Sequence, residues 1–213
     1  MRANAVDLPQ SMPPVEAVVL DLGNVLVFHD DPILFQRMSA WGGADPLEIR
    51  ARMLGLWDAI NRGTLAGDEL RRTICKVAGS DTLMDEEAFV ELWNCHFRAH
   101  TEMLPILDKL VERTKVLLLT NVNERHWRYV RPLLPHLDHF HALVVSYDEK
   151  MAKPDRQIFE LAIRRADVPA DRIAYFDDVQ TFVDVASSLG IAGRLFTDAP
   201  AFRRQLAELG IPV

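Results

Sequence analysis

The feature that most constrains the fold is the alternation of short apolar segments with amphipathic ones. Five segments rich in Val, Ile and Leu have the length of buried strands: Ala17–Leu22, Lys115–Thr120, Ala142–Ser146, Ile173–Phe176 and Ala192–Phe196. Four stretches repeat apolar residues at helical spacing: Met103–Val111, Ile158–Ala166, Val179–Leu189 and Ala201–Leu209. Strands that alternate with helices form right-handed βαβ units. The sequence therefore predicts an α/β fold with a doubly wound, mainly parallel sheet.

The segment between the first two strands breaks this alternation. Residues 31–99 have no convincing strand pattern and instead predict helices at Ile33–Trp41, Pro46–Asn61, Gly67–Val77 and Asp85–Ala99. An insertion at the carboxyl end of the first strand stands over the edge of the sheet where ligands bind. We therefore expect a flexible tail over residues 1–14, a core formed by residues 15–30 and 100–213, and a small helical cap over residues 31–99.

Composition narrows the class of protein. The 213-residue chain has a net charge of −7, which argues against a nucleic-acid-binding surface. No apolar run reaches the ~20 residues of a membrane helix, and the first residues lack the apolar core of a signal peptide. Cys75 and Cys95 have no C-x-x-C spacing, which favours free thiols in a reducing compartment. We expect a cytoplasmic protein with neither a nucleic-acid nor a membrane partner, and the sequence does not indicate its oligomeric state.

Polar residues follow the predicted strands at their carboxyl ends, where a parallel sheet places its site. They are Asp21 after the first strand, Thr120 and Asn121 after the second, Lys153 in the loop after the third, and Asp177 and Asp178 after the fourth. Carboxylates bind Mg²⁺, a lysine neutralises phosphate oxygens, and a hydroxyl donates hydrogen bonds to them. This set of side chains is typical of phosphoryl transfer.

These residues stand in four short motifs, in the order DLGNVLV, TNVN, KPD and FDD. Their order and spacing resemble the haloacid dehalogenase (HAD)-like hydrolase superfamily, in its subfamily IA with a helical C1 cap, over Val15–Val213. The motifs are similar to those of the branch that contains sugar-1-phosphate phosphatases and the phosphatase domain of soluble epoxide hydrolases. The resemblance implies a Rossmann-like core, an Mg²⁺ cofactor and hydrolysis of small phosphorylated metabolites, with sugar phosphates as the expected substrates.

The resemblance also implies catalytic roles. Asp21 would be the nucleophile, attacking phosphorus to form an aspartyl-phosphate that water then hydrolyses. Thr120 would hydrogen-bond the transferring phosphoryl group, with the backbone or side chain of Asn121 helping. Lys153 would bridge Asp21 and the phosphate, which keeps the nucleophile ionised and counters charge in the transition state.

A metal site is implied by the same motifs. Asp21 and Asp178 would bind Mg²⁺ through their carboxylates, and Gly23 through its backbone carbonyl. Asp177 would support the metal from outside the ligand shell. Phe182 departs from the family pattern, because a polar Asp or Asn usually stands four residues beyond Asp178, and we expect weaker Mg²⁺ binding as a result.

Gly23 is the larger departure, because most phosphatases of the superfamily carry a second Asp at this position. The carboxyl group of that Asp protonates the leaving oxygen and later deprotonates the attacking water, which is worth roughly 10²–10⁴ in rate. Gly23 cannot do either, so the loss matters least for esters with good leaving groups. His29 is the best candidate for a substitute acid, although residues 29–31 also fit an exposed polar turn before a helix.

Two alternative functions remain open at this point. A 2-haloacid dehalogenase also uses an Asp nucleophile and lacks the second Asp, since halide needs no protonation. The adjacent carboxylates of Asp177 and Asp178 argue against it, because a dehalogenase needs no cation. The other alternative is a catalytically impaired protein in which Gly23 and Phe182 mark a site that binds phosphate or a partner without turnover.

Overall fold

The computed structural model describes residues 14–213, so nearly all of the predicted flexible tail, residues 1–13, lies outside the described residues. The described chain forms these strands: β1 Ala17–Leu20, β2 Val27–His29, β3 Phe97–Ala99, β4 Lys115–Thr120, β5 Ala142–Val145, β6 Ile173–Asp177 and β7 Ala192–Leu195. Its α-helices are α1 Asp31–Gly42, α2 Pro46–Leu54, α3 Trp57–Asn61, α4 Gly67–Val77, α5 Glu86–Asn94, α6 Leu104–Leu110, α7 Glu124–Val130, α8 Ser146–Glu149, α9 Arg156–Ala166, α10 Gln180–Ser188 and α11 Ala199–Glu208. Over this range, no helix has both the length and the apolarity that crossing a bilayer requires.

The main sheet has five strands in the order β5-β4-β1-β6-β7. Every pair in it is parallel, and Ala17 of β1 faces Lys115 of β4 on one side and Ile173 of β6 on the other. The predicted α/β, doubly wound, Rossmann-like fold is therefore confirmed. Because β1 lies at the centre, the residues that follow β1, β4 and β6 meet at one point of the carboxyl edge.

Both faces of the sheet are buried, as parallel strands require. Side chains alternate along β1, so Val18 and Leu20 belong to the apolar cluster on one face, whereas Ala17 and Val19 belong to the cluster on the other. Burial of one such Val or Leu side chain stabilises the fold by about 1.5–3 kcal/mol. This packing makes the strand ends a rigid platform for the polar residues that follow them.

Helices α1 to α5 form a separate layer above the carboxyl edge, with an apolar cluster of their own. Its largest fully buried members are Trp93, Phe89, Leu34, Met38, Ile49 and Met53. The predicted helix over Pro46–Asn61 is wrong as a single element, because the chain forms α2 and α3 with Gly55 directly after α2. Glycine is a poor helix former, which is consistent with a break there.

A two-stranded antiparallel ribbon joins this helical layer to the core. β2 pairs with β3 so that Val27 faces Ala99 and His29 faces Phe97. The predicted helix over Asp85–Ala99 is therefore wrong beyond Asn94, where α5 ends. The alternative interpretation of residues 29–31 as an exposed turn is also wrong for His29, which lies in β2 and is partly buried.

Candidate active site

A tight turn after β1 shapes the first part of the site. The backbone N–H of Asp21 donates to the carbonyl of Phe176 at 2.9 Å, which extends the pairing with β6 by one residue. Asn24 has a left-handed backbone with φ 52°, a conformation that Asn tolerates better than most residues. Its N–H donates to the carbonyl of Val27 at 2.6 Å, so the chain turns back and β2 begins directly beside Asp21.

Lys153 and two carboxylates form the buried centre of the site. Its Nζ lies 2.7 Å from Asp21 Oδ1 and 2.6 Å from Asp177 Oδ2. Asp178 adds a third carboxylate, with ligand oxygens of the three acids within 4.8 Å of one another. Three carboxylates and one ammonium leave an excess of two negative charges, which a divalent cation would neutralise. Within residues 14–213, no other group of three His, Cys, Asp or Glu side chains brings its ligand atoms this close together. All the donors here are carboxylate oxygens, which fit a hard cation such as Mg²⁺.

The electrostatics of this centre follow from burial and pairing. Burial raises the pKa of Asp21 to about 7, with Asp177 adding to the rise and Lys153 opposing it. Burial alone would lower the pKa of Lys153, but the carboxylates of Asp21 and Asp177 raise it above its usual value. Lys153 is therefore held as a cation, and Asp21 needs further positive charge nearby to be fully ionised at neutral pH.

Neighbouring groups hold the two partners of Asp21 in place. Asp177 accepts hydrogen bonds from the hydroxyl of Tyr175 and, at 2.8 Å, from the backbone N–H of Val179. The side chain of Asn121 donates to the Lys153 carbonyl and accepts from the Lys153 N–H, both at 2.8 Å. The Asn121 amide therefore positions Lys153, and the predicted phosphate contact of Asn121, through its backbone or its side chain, stays a prediction.

Phe182 takes a different role from the polar residue that the family usually has at its position. Its ring centroid lies 5.0 Å from Lys153 Nζ, within the range of a cation–π contact. It also lines the cavity above the site. The substitution therefore removes an oxygen donor and gives the lysine an aromatic neighbour.

The imidazole of His29 lies directly against position 23 and would crowd a side chain there. A Cβ on Gly23 would lie 3.1 Å from both Cδ2 and Nε2 of His29 and 3.8 Å from Asp21 Oδ2. Nδ1 of His29 lies 3.4 Å from Asp31, whose hydrogen bond raises the pKa of the imidazole against the opposing effect of burial. Asn24 joins this group to the acids, because its amide donates to Asp178 Oδ2 at 2.8 Å and lies 3.4 Å from His29 Nε2.

The comparison with protein families agrees with this geometry. The model of haloacid dehalogenase-like hydrolases matches residues 15–190, which include every residue of the buried centre. The chain belongs to the haloacid dehalogenase-like hydrolases. The superfamily that the four motifs predict is thereby confirmed, and the protein is a HAD-like hydrolase.

Similar proteins of this family include phosphatases. Sesquiterpene phosphatase astK from Aspergillus oryzae is 24% identical over 195 residues, which cover 91% of this chain and 96% of that protein. D-ribitol-5-phosphate phosphatase from Bacteroides thetaiotaomicron is 24% identical over 186 residues, which cover 83% and 89% of the two chains. A HAD family enzyme from the same bacterium, solved with magnesium and inorganic phosphate, has a TM-score of 0.75 and 26% identity, covering 86% of this chain and 93% of that one.

A cavity of about 320 Å³ lies between the carboxyl edge and the helical layer. Asp21, Gly23, Thr120, Lys153 and Asp178 all line it, so the structure brings these predicted site residues together on one wall. Asp177 lies beneath that wall and is fully buried.

The sequence patterns do not single out several polar and aromatic residues of the lining. They are Asn61, His96, Phe97 and His126. His126 is engaged at both ring nitrogens, with Asn123 at 2.8 Å and the carbonyl of Trp93 at 3.0 Å. Nδ1 of His96, by contrast, is buried without a partner among the described residues. The polar–apolar alternation of residues 96–99 is the one local signal that could have indicated this strand and its inward side chains.

Proposed function

We propose that this HAD-like hydrolase is an Mg²⁺-dependent phosphatase that acts on small phosphorylated metabolites through an aspartyl-phosphate on Asp21. The observation that carries the proposal is the contact of Lys153 Nζ with Asp21 at 2.7 Å and with Asp177 at 2.6 Å, beside the carboxylate of Asp178. A nucleophile that must approach an anionic phosphate needs positive charge around it, and this arrangement supplies one cation and has room in its charge balance for a second.

Asp21 is oriented for attack by its own hydrogen bond. Lys153 holds Oδ1, so Oδ2 is the oxygen that attacks phosphorus as the bond to the leaving alcohol breaks. Oδ2 also lies on the side of the carboxylate that faces Gly23 and His29. The hydroxyl of Thr120, at the end of β4, donates a hydrogen bond to the transferring phosphoryl group.

The metal would be held by the carboxylates of Asp21 and Asp178 and the backbone carbonyl of Gly23. When bound, Mg²⁺ supplies the positive charge that phosphate oxygens and an ionised Asp21 require. Asp177 stays outside the ligand shell in this proposal, since Lys153, Tyr175 and the N–H of Val179 already use its oxygens.

His29 replaces the missing second Asp in this proposal. Its Nε2 lies against the space where that side chain would be, and Asp31 orients Nδ1 from the far side of the ring. The imidazolium gives its proton to the leaving alcohol oxygen. The neutral ring then takes a proton from the water that attacks the aspartyl-phosphate.

Two observations weigh against the alternatives. A dehalogenase has no use for a cation, whereas three carboxylates around one ammonium favour one. A site that binds phosphate without turnover would not need His29 at the position of the lost acid. The sugar phosphates expected from the sequence remain a prediction for the substrate.

One experiment separates these functions. Phosphate release from a panel of phosphate monoesters and chloride release from 2-chloropropionate are measured with Mg²⁺ and with EDTA. A phosphatase releases phosphate only with Mg²⁺ and releases no chloride. Chloride release that persists in EDTA would identify a dehalogenase, and binding of phosphate without either product would identify an impaired site.

A further inference from the structure

We propose that the substrate is the phosphate monoester of an apolar alcohol, whose carbon chain passes Trp57 into a groove between α1 and α2. This inference rests on the proposed phosphatase function and narrows its substrate class. It departs from the sugar phosphates that the sequence predicts. Two independent features support it: the state of the polar side chains in the cavity, and a second apolar cavity that adjoins the first.

Most polar side chains on the cavity wall already have protein partners. The amides of Asn24 and Asn121 bond to Asp178 and to the Lys153 backbone, and both ring nitrogens of His126 are engaged. Among the described lining residues outside the catalytic group, Asn61 and His96 are the polar side chains that remain to bind polar atoms of a substrate. A polyol buried here would leave most of its hydroxyl groups without partners, which costs about 1–3 kcal/mol for each group.

The free part of the wall is apolar. Trp57 and Phe97 line the cavity from the helical layer and the ribbon, and Val179 and Phe182 line it from the core. Val179 is 37% exposed despite its position beside the catalytic acids, so its apolar surface is available to a ligand. A hydrocarbon chain loses water on contact with such a wall and leaves no polar group unpaired.

A second cavity adjoins the first at Asp31 and Trp57. It has a volume of about 580 Å³. Its other lining residues come from α1 and α2: Pro32, Phe35, Gln36, Pro46, Leu47, Arg50 and Leu54. Leu47 and Leu54 are 74% and 69% exposed, and their spacing of two helical turns puts them on one face of α2. We name this cavity the α1–α2 groove.

We interpret the α1–α2 groove as the binding site for the distal part of the substrate. Single exposed leucines are common on soluble proteins, but these two border a concave space that shares Asp31 and Trp57 with the active-site cavity. An alkyl or isoprenoid chain that starts at a phosphate on Asp21 would meet Trp57 first and the two leucines after it. The occupant that we propose is therefore the far end of the substrate itself.

The test uses three esters that differ in one property at a time. Pentyl phosphate and ribitol 5-phosphate both have a chain of five carbons, but only ribitol 5-phosphate has free hydroxyl groups. Octyl phosphate extends the apolar chain. We expect kcat/KM with Mg²⁺ to be at least about tenfold higher for pentyl phosphate than for ribitol 5-phosphate, and about 10- to 50-fold higher again for octyl phosphate. Leu47→Asn and Leu54→Asn should each reduce the ratio of octyl to pentyl phosphate by about three- to tenfold.

Leu83→Asn is the matched control, because Leu83 is also exposed and lines neither cavity. It should leave all three values of kcat/KM unchanged. Equal or better turnover of ribitol 5-phosphate would overturn the inference while leaving the phosphatase function intact. A change in oligomeric state in Leu47→Asn, with the ester ratio unchanged, would also overturn it and would identify the groove as a contact between chains.

Binding separates this inference from the proposed function. Affinities of the three esters for the Asp21→Asn protein with Mg²⁺ are measured by calorimetry, so that no turnover is needed. Tighter binding of octyl phosphate than of ribitol 5-phosphate supports the inference even if the wild-type protein hydrolyses no ester. The reverse order overturns it even if every ester is hydrolysed.

Discussion

The imidazole of His29 lies directly against Gly23: a Cβ on Gly23 would lie 3.1 Å from His29 Nε2. The glycine therefore leaves room for an imidazole beside Asp21. The ring reaches that place because the turn at Asn24 brings β2 back over the end of β1. The absence of a side chain at position 23 is therefore what allows His29 to lie beside Asp21.

His29→Gln should remove the acid and base without emptying the space. For pentyl phosphate, we expect kcat to fall by about 10²–10⁴-fold, because an alkoxide cannot leave without a proton. For p-nitrophenyl phosphate, the phenolate leaves unaided, so a stoichiometric burst of p-nitrophenolate should persist while steady-state turnover slows at the hydrolysis of the aspartyl-phosphate. Stopped-flow absorbance measures both phases.

His139→Gln is the control for this substitution, since His139 is exposed and does not line the cavity. It should leave both phases unchanged. The double variant Gly23→Asp/His29→Ala is the converse test, because it returns a carboxyl group to position 23 and makes room for it. Equal rates for His29→Gln and the wild-type protein on pentyl phosphate would show that another group supplies the proton.

The pH profile should report the contact between His29 and Asp31. The hydrogen bond that His29 donates to Asp31 and the charges of Asp31, Asp21 and Asp178 stabilise the imidazolium and raise its pKa above 6.5, although burial opposes them. Because the protonated ring is the acid, kcat/KM for pentyl phosphate should fall as pH rises through this raised pKa. In Asp31→Asn the fall should begin at lower pH. An alkaline limb at the same pH in both proteins would contradict the role of Asp31.

Stability should depend on pH through His96. Burial lowers the pKa of His96 to about 4, against the attraction of Asp31, while the unfolded chain has a value near 6.5. Between these values the unfolded state binds more protons, so the free energy of unfolding should decrease as pH falls from 6.5 to 4, by on the order of 3 kcal/mol. His126, whose pKa burial also lowers well below 6.5, adds a loss in the same direction.

Urea unfolding at pH 7 and pH 4.5 measures this loss. His96→Asn should lose less stability than the wild-type protein over that interval, because the neutral amide has no proton to gain. His139→Gln serves again as the exposed control and should keep the full loss. An identical loss in His96→Asn would mean that other groups cause the acid sensitivity.

Magnesium should stabilise the folded protein through Asp21, Asp177 and Asp178, of which the first two are buried and the third is partly buried. A ligand at about 100 times its Kd adds about 2.7 kcal/mol, which corresponds to a rise in Tm of about 5–10 °C for a domain of this size. Asp178→Asn keeps the shape and can still accept the hydrogen bond from Asn24, but it removes one negative charge. We expect the Mg²⁺-dependent rise in Tm to shrink to a small fraction in this variant. The same rise in both proteins would place the ion elsewhere.

The main sheet and the position of the site could be predicted because their signals are local in sequence. β1 is a run of apolar residues that Asp21 follows directly, and β6 ends in Asp177. Parallel strands then bring such residues to one edge, whatever the details of the loops. The meeting of Asp21 and Asp177 follows from topology, whereas Lys153 lies in a loop beyond α8 that Asn121 holds in place.

The β2–β3 ribbon has only a weak local signal, because each strand has only three residues and gains its hydrogen bonds from a distant part of the chain. Local sequence therefore predicts that residues 97–99 continue the preceding helix, whereas in the folded protein they form β3. The same reason hid His96 and Phe97, whose direction depends on this pairing.

The role of Asn121 was hidden for a different reason. An amide that follows a strand can face a ligand or the neighbouring loop, and its sequence position is the same in both cases. The loop that carries Lys153 decides the matter, since its backbone offers both a donor and an acceptor to the amide at 2.8 Å. Phe182 is similar, because only the fold brings its ring to 5.0 Å from Lys153 Nζ.

The most direct test of the account is phosphate release from p-nitrophenyl phosphate by the wild-type protein and by Asp21→Asn, each with Mg²⁺ and with EDTA. We expect turnover by the wild-type protein with Mg²⁺, none with EDTA, and a loss of about 10⁴-fold or more in Asp21→Asn, with circular dichroism showing that the variant is folded. Asp21→Asn turnover near the wild-type rate, or wild-type turnover that persists in EDTA, would contradict it.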